Sequence, residues 1–299
     1  MTSLSRTYHD NKPSKGIIFM VLSVIFFSCM DVVIKWISQY YPTGQIVFCR
    51  NFFAFIPISV LFFRSDIFSL LKASQWKNHL LRSLYGVISM VGFFAGLSFL
   101  PLAEATAFGL SGPIFLTVLS IPLLQEKVGI RRWMAVIIGF VGVLIMTRFW
   151  DIESLRLTLL LPIMGAFFYA LAMIAIRKLT ATEPPQRIVF YFTFFAALIG
   201  LATWPLGWVL PTPFHFFMLA LIGILGGCGQ LLMTQAFRFA SVSIIAPFEY
   251  LHLVFAMIFD YLIWHFTPTF TLILGAVIII SSGLYIAHRE TIKRQVKSL

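Results

Sequence analysis

Residues 243–264 read SIIAPFEYLHLVFAMIFDYLIW, an apolar run that nevertheless holds Glu249, His252 and Asp260. About 20 residues is what an α-helix needs to cross the hydrocarbon core of a bilayer. With Ala256, the three polar residues fall at i, i+3, i+7 and i+11, one stripe of a 3.6-residue helix. A carboxylate facing lipid is costly, so the stripe must face protein or a wet cavity. Pro247 removes a backbone donor and clashes with the preceding turn, which predicts a kink or break beside the stripe. The pattern fits a solute pathway, or a buried polar patch that only holds helices together. Two acids on one span exceed what holding requires.

The rest of the chain agrees with a membrane setting. Its 299 residues are 60% hydrophobic and 11% charged, against about 25% charged in soluble domains. The net charge of +11 does not point to nucleic acid, because the basic residues sit in short loops between apolar runs and report orientation instead. Cys29, Cys49 and Cys228 lie inside spans without metal-ligand spacing, so neither a disulfide framework nor a metal site is expected. No cofactor is implied. The polar residues 1–16 precede a run too long for a cleaved signal, which reads as the first transmembrane helix.

Hydropathy predicts ten spans, at about 17–37, 44–63, 80–100, 104–124, 132–148, 157–176, 188–209, 214–237, 243–264 and 269–287. Prolines 42, 101, 184, 185, 211, 213 and 268 punctuate the joints. Of the 22 Lys and Arg, eighteen fall on the side of the N-terminus, Arg148 and Arg156 on the other, and Lys35 and Arg50 within spans. That asymmetry predicts that both termini are cytoplasmic.

Ten spans suggest two halves of five, and an odd number per half makes the second enter from the opposite side. The expected organisation is a tail at 1–16, a first repeat at 17–150, a second at 151–287 and a basic tail at 288–299. Leu102-Ala103-Glu104-Ala105-Thr106 resembles Phe239-Ala240-Ser241-Val242-Ser243, and Gly139 recurs as Gly275. Gly92 and Gly96, Gly139 and Gly142, and Gly223 to Gly229 predict close helix crossings. The cluster Gly226-Gly227-Cys228-Gly229-Gln230 also suits a bend against a cavity.

A second set of charges lies on the first two spans. Asp31 and Lys35 are spaced i, i+4, which supports an ion pair. Arg50 enters span two at a depth similar to that of Asp31, so an Asp31–Arg50 pair is also available. Such a pair either locks the hairpin or serves as a gate or anion site. Asp260 joins these as a gating or ion-pair candidate. Glu249, Tyr250, His252, Tyr85, Tyr169 and Gln230 are the candidate solute-binding residues, the aromatics because they can stack on a planar or cationic solute. The P-loop, HExxH, GxSxG and dinucleotide fingerprints are missing from the sequence. The residues therefore favour a transporter over an intramembrane enzyme, for which His252 with Glu249 is the one available pair, or a structural subunit.

Ser28-Cys29-Met30-Asp31 with Lys35, and Phe48-Cys49-Arg50-Asn51-Phe52-Phe53, resemble the drug/metabolite transporter superfamily, EamA type. So do Pro113 with Glu126, and Ala246-Pro247-Phe248-Glu249-Tyr250-Leu251. The resemblance runs from about 17 to 288. It implies an all-α membrane protein of two inverted five-helix repeats, a central cavity, and movement of small organic solutes by alternating access, as monomer or homodimer. Asp31, Lys35, Arg50 and the 246–254 run look most like the branch containing S-adenosylmethionine uptake carriers. The chain departs from that branch at Trp264-His265-Phe266-Thr267-Pro268, where a glutamate often precedes the proline. The expected solute is amino-acid or nucleoside-like, with uptake or export both open.

Overall fold

Helices supply every regular element among the described residues (13–62, 75–125, 130–148, 157–179, 182–183, 185–239 and 248–297) of the computed structural model. In chain order these are α1 (Pro13–Ile37), α2 (Thr43–Phe62), α3 (Trp76–Phe99), α4 (Leu102–Gly109), α5 (Gly112–Leu124) and α6 (Ile130–Thr147). They continue with α7 (Leu160–Leu179), α8 (Pro185–Leu201), α9 (Pro213–Phe239), α10 (Leu251–Trp264) and α11 (Phe270–Lys297). Short 3-10 turns sit at Leu157–Leu159 and Trp204–Leu206. Five of the described helical segments are long and apolar enough to cross a membrane, and four more are shorter apolar helices. Their outward residues, such as Ile137, Ile138 and Val141 on α6 or Leu262 and Ile263 on α10, are exposed hydrophobics, as a lipid-facing surface requires.

Several boundaries differ from the hydropathy reading, each for a local reason. The third span starts at Trp76 rather than 80, which draws His79 into the helix and sets Arg82 nearly two turns in, where both are buried. The fourth is broken into α4 and α5 at Leu110-Ser111. Pro113 has no N–H to give to Gly109, so the ladder lapses there and restarts with proline in the first turn of α5. The seventh ends at Leu201 rather than 209, passing into the 3-10 turn that carries Pro205. The glycine cluster of the eighth does not interrupt it, as α9 runs unbroken from Pro213 to Phe239. The ninth is not one helix: Phe248 and Glu249 form a helical segment, Tyr250 is a turn, and α10 begins at Leu251. Pro247, where the kink was expected, lies outside the described residues. The basic tail is helical, as α11 continues to Lys297.

Packing fixes which ends meet. One end of the bundle gathers the end of α1 and the starts of α2 and α9, where Tyr41 bonds His215 and Gln45 exchanges two hydrogen bonds with the backbone of Val209. The other gathers the start of α3 and the α7–α8 turn, where Gln75 bonds Thr182 and His79 approaches Glu183. The main pairs are α1 with α9, α3 with α7, α6 with α11, α2 with α9, α2 with α8, α3 with α8, α5 with α7, α4 with α10 and α1 with α10. Counting α4 and α5 as one span, exchanging each of the first five spans with the one five later maps this set onto itself.

Close backbone approach makes these pairs possible. A Cβ on Gly92 of α3 would stand 2.7 Å from the Leu161 carbonyl, and one on Gly142 of α6 would stand 3.0 Å from that of Gly275 on α11.

Candidate functional site

Two polar constellations result, at different depths. The first sits where α1 and α10 end and α4 begins. Lys35 Nζ lies 2.9 Å from Asp260 Oδ1 and 4.5 Å over the Trp264 ring. The second oxygen of Asp260 accepts the N–H of Ala103 at 2.7 Å. Asp260 thus supplies the cap that α4 lacks from its own sequence, since Pro101 at the cap position offers no side-chain acceptor. Asp260 is fully buried with both oxygens engaged, so this cluster is a tie between elements.

The second constellation is a ring. Asp31 Oδ2 of α1 lies 2.9 Å from His252 Nε2 of α10, off hydrogen-bond alignment. His252 is within electrostatic range of Glu249, and Glu249 of Tyr169 on α7. Tyr169 is in range of Arg82 on α3, Arg82 of Arg50 on α2, and Arg50 of Asp31, which closes the circuit. Asp31, Arg50 and Arg82 are 1%, 4% and 6% exposed. Yet Asp31 Oδ1 and Oδ2, Arg50 Nε, and Arg82 Nε and Nη1 have no hydrogen-bond partner among the described residues. Ser28 Oγ and Thr106 Oγ1 are in the same condition. Leaving buried polar groups unsatisfied costs about 1–3 kcal/mol each, more for charges, so such an assembly persists where a ligand or water completes it.

Local features aim these side chains. Arg50 Nη1 donates to Asn51 Oδ1 at 3.0 Å, and Asn51 Nδ2 donates to the Val47 carbonyl at 2.8 Å, so the guanidinium is held from behind. Arg82 lies over the Phe192 ring at 3.6 Å. Gly86, one turn on, admits that ring, for a Cβ there would stand 2.7 Å from Phe192.

The pairings expected from spacing are therefore redistributed. Asp31 meets His252 rather than pairing directly with Arg50, and Lys35 meets Asp260 rather than its i−4 neighbour Asp31. In both cases the partner comes from α10, a helix remote in sequence. The stripe on span nine is divided: His252, Ala256 and Asp260 share α10, while Glu249 stands beyond the turn at Tyr250. Tyr250 turns its hydroxyl onto Gly283 of α11, a packing contact. Tyr85 lies near Phe168, and half-buried Gln230 follows the contact of Gly229 with Phe27. Arg82 was missed because it follows a basic connector and reads as one more loop charge. Its two-turn offset inside an otherwise apolar helix was the available signal.

Residues 14–148 and again 156–287 match the family model described as "EamA-like transporter family". An S-adenosylmethionine uptake transporter of Rickettsia bellii is 31% identical, covering 93% of this chain and 94% of that protein. A riboflavin transporter of Rhizobium johnstonii is 27% identical over 97% of both. A pseudopaline exporter of Pseudomonas aeruginosa is 28% identical over 92% and 96%. A solved crystal structure of a protein is similar with a TM-score of 0.63 at 16% identity, covering 92% of this chain and 98% of that one. At that identity the likeness concerns the fold alone.

Proposed function

This chain belongs to the EamA-like transporter family, and on that premise we propose that it is a secondary carrier for a small organic metabolite bound inside the ring. It is a membrane transporter by family and relatives, not an enzyme. The solute is amino-acid or nucleoside-like, and S-adenosylmethionine is the first candidate. Movement occurs by alternating access, one five-span half rocking against the other in the inner membrane, with both termini cytoplasmic. The working unit is a monomer or homodimer.

The observation that carries this reading is the ring itself: polar and ionisable groups that converge from both matched segments around the buried, unpartnered Asp31, Arg50 and Arg82. Asp31, Arg50 and Arg82 come from the first, Tyr169, Glu249 and His252 from the second. A site between halves that move against each other is exposed alternately to the two sides. The inverted arrangement of 17–150 and 151–287 is supported by the double family match and by a helix-pairing set unchanged on exchange of the halves.

Relatives named for uptake and for export stand at similar identity, so export is the second reading. Purified protein in liposomes, offered a labelled metabolite panel with and without a pH gradient, tests both. Accumulation or counterflow of a panel member is expected; a panel that never crosses faster than in empty liposomes sinks the carrier reading.

A further inference from the structure

The ring has two chemical sides, and one rests on a residue outside the sequence-derived site. Arg50 and Arg82 lie in each other's electrostatic range with donors unspent, while Asp31 and Glu249, with His252 between them, form the acidic arc. Like charges in range repel; Arg50 has Asp31 in range, but for Arg82 the phenol of Tyr169 is no counter-charge. Arg82 is over nine-tenths buried, with Nε and Nη1 unpartnered among the described residues. Its plane is fixed on Phe192 at 3.6 Å, which leaves the nitrogen edge to meet a ligand. Glu183, at the bundle end where α3 starts, is engaged by Arg187 and His79 instead.

We propose that Arg82, with Arg50, anchors a carboxylate of the solute, and that the solute carries an amino-acid zwitterion whose ammonium faces Asp31 and Glu249. A guanidinium edge presents parallel N–H donors that fit a planar carboxylate in two-point contact. The acidic arc supplies the complementary charge for the ammonium group. This inference rests on the ring being the solute site.

Binding to full-length protein in nanodiscs tests it with two matched pairs: S-adenosylmethionine against its decarboxylated form, and L-methionine against L-methioninamide. Wild type is expected to prefer the carboxylate member of at least one pair by about tenfold or more, as sites built to hydrogen-bond a group reject analogues lacking it. Arg82→Met should erase that preference while leaving affinity for the carboxylate-free member unchanged, and Arg82→Lys should retain part of it. Without ligand, Arg82→Met should unfold at the same or a higher temperature than wild type, because it relieves a buried, unpaired charge. Equal binding of both members in both pairs, or equal weakening of both by Arg82→Met, overturns the proposal. So does a lower unfolding temperature of the unliganded Arg82→Met protein, which would assign the guanidinium to packing. Discrimination in binding without transport in liposomes would instead sink the carrier reading and leave the subsite standing.

Discussion

Asp260 joins three elements through one carboxylate: Oδ1 meets Lys35 of α1 at 2.9 Å, and Oδ2 accepts the N–H of Ala103 at 2.7 Å. Lys35 is nearly covered and Asp260 wholly so. In a low-dielectric place, such a pair is valued mainly by what its breakage leaves behind. The tie lies at the bundle end where α1 and α10 finish and α4 starts, so whatever opens that end must loosen it.

Removing one partner should therefore destabilise strongly. Lys35→Met leaves the Asp260 carboxylate with only the Ala103 N–H, and Asp260→Asn leaves the Lys35 ammonium facing an amide. Each should cost about 3–5 kcal/mol, and the double variant should recover much of that. Thermal unfolding of detergent-purified protein measures it, and simple addition of the two losses would show that the contact is not coupled.

Backbone packing gives an independent test. Gly92→Ala places a methyl against the Leu161 carbonyl and Gly165, neither of which can rotate away. It should cost about 1–3 kcal/mol by overpacking, with loss of folded yield. Gly109→Ala meets only the Phe93 ring, at 3.5 Å or more, and should be neutral. Equal behaviour of the two would contradict the α3–α7 crossing.

The positions of most spans were legible because hydropathy is a local property, and Pro113 shows where proline chemistry interrupts it. The partners were not. Asp31 and Lys35 look like mates at i, i+4, yet each goes to α10, since a helix sequence does not state which neighbour its stripe will face. His252 and Asp260 were recognisable as polar anomalies; that they would divide between Asp31 and Lys35 depends on how α1 crosses α10. Arg82 was hidden by its neighbours, since a charge next to Lys77 and the basic connector reads as solvated until the helix is seen to start at Trp76.

Topology follows from the lysine and arginine asymmetry. Reporter fusions after residues 40, 151, 211 and 267 should signal outside, and those after 72, 129, 182 and 299 cytoplasm. A C-terminal fusion reporting outside would dismantle the ten-span arrangement and the inverted halves with it.

Glu249 offers a near-isosteric test of the ring. Glu249→Gln keeps volume and removes the charge, so the protein should insert and unfold like wild type while transport falls by about tenfold or more, as expected when a charged contact worth over 1.4 kcal/mol is lost. Transport at the wild-type rate would make the residue a packing element of the broken ninth span.

Asp31 separates structure from transport. Its neighbour in the structure is His252 at 2.9 Å, with Arg50 farther off but in electrostatic range. Groups in direct contact couple by about 0.5–3 kcal/mol in a double-mutant cycle. The cycle of Asp31→Asn with His252→Gln should therefore show the larger coupling, and that of Asp31→Asn with Arg50→Gln the smaller. Were the order reversed, the hairpin pairing expected from spacing would be the true one. Transport then decides the role of the contact. If Asp31→Asn with His252→Gln regains stability and also transport, the contact only joins α1 to α10. We expect stability to return and transport to stay absent, because Asp31 has two buried oxygens free of hydrogen bonds and the ammonium of a bound solute is the group that would use them.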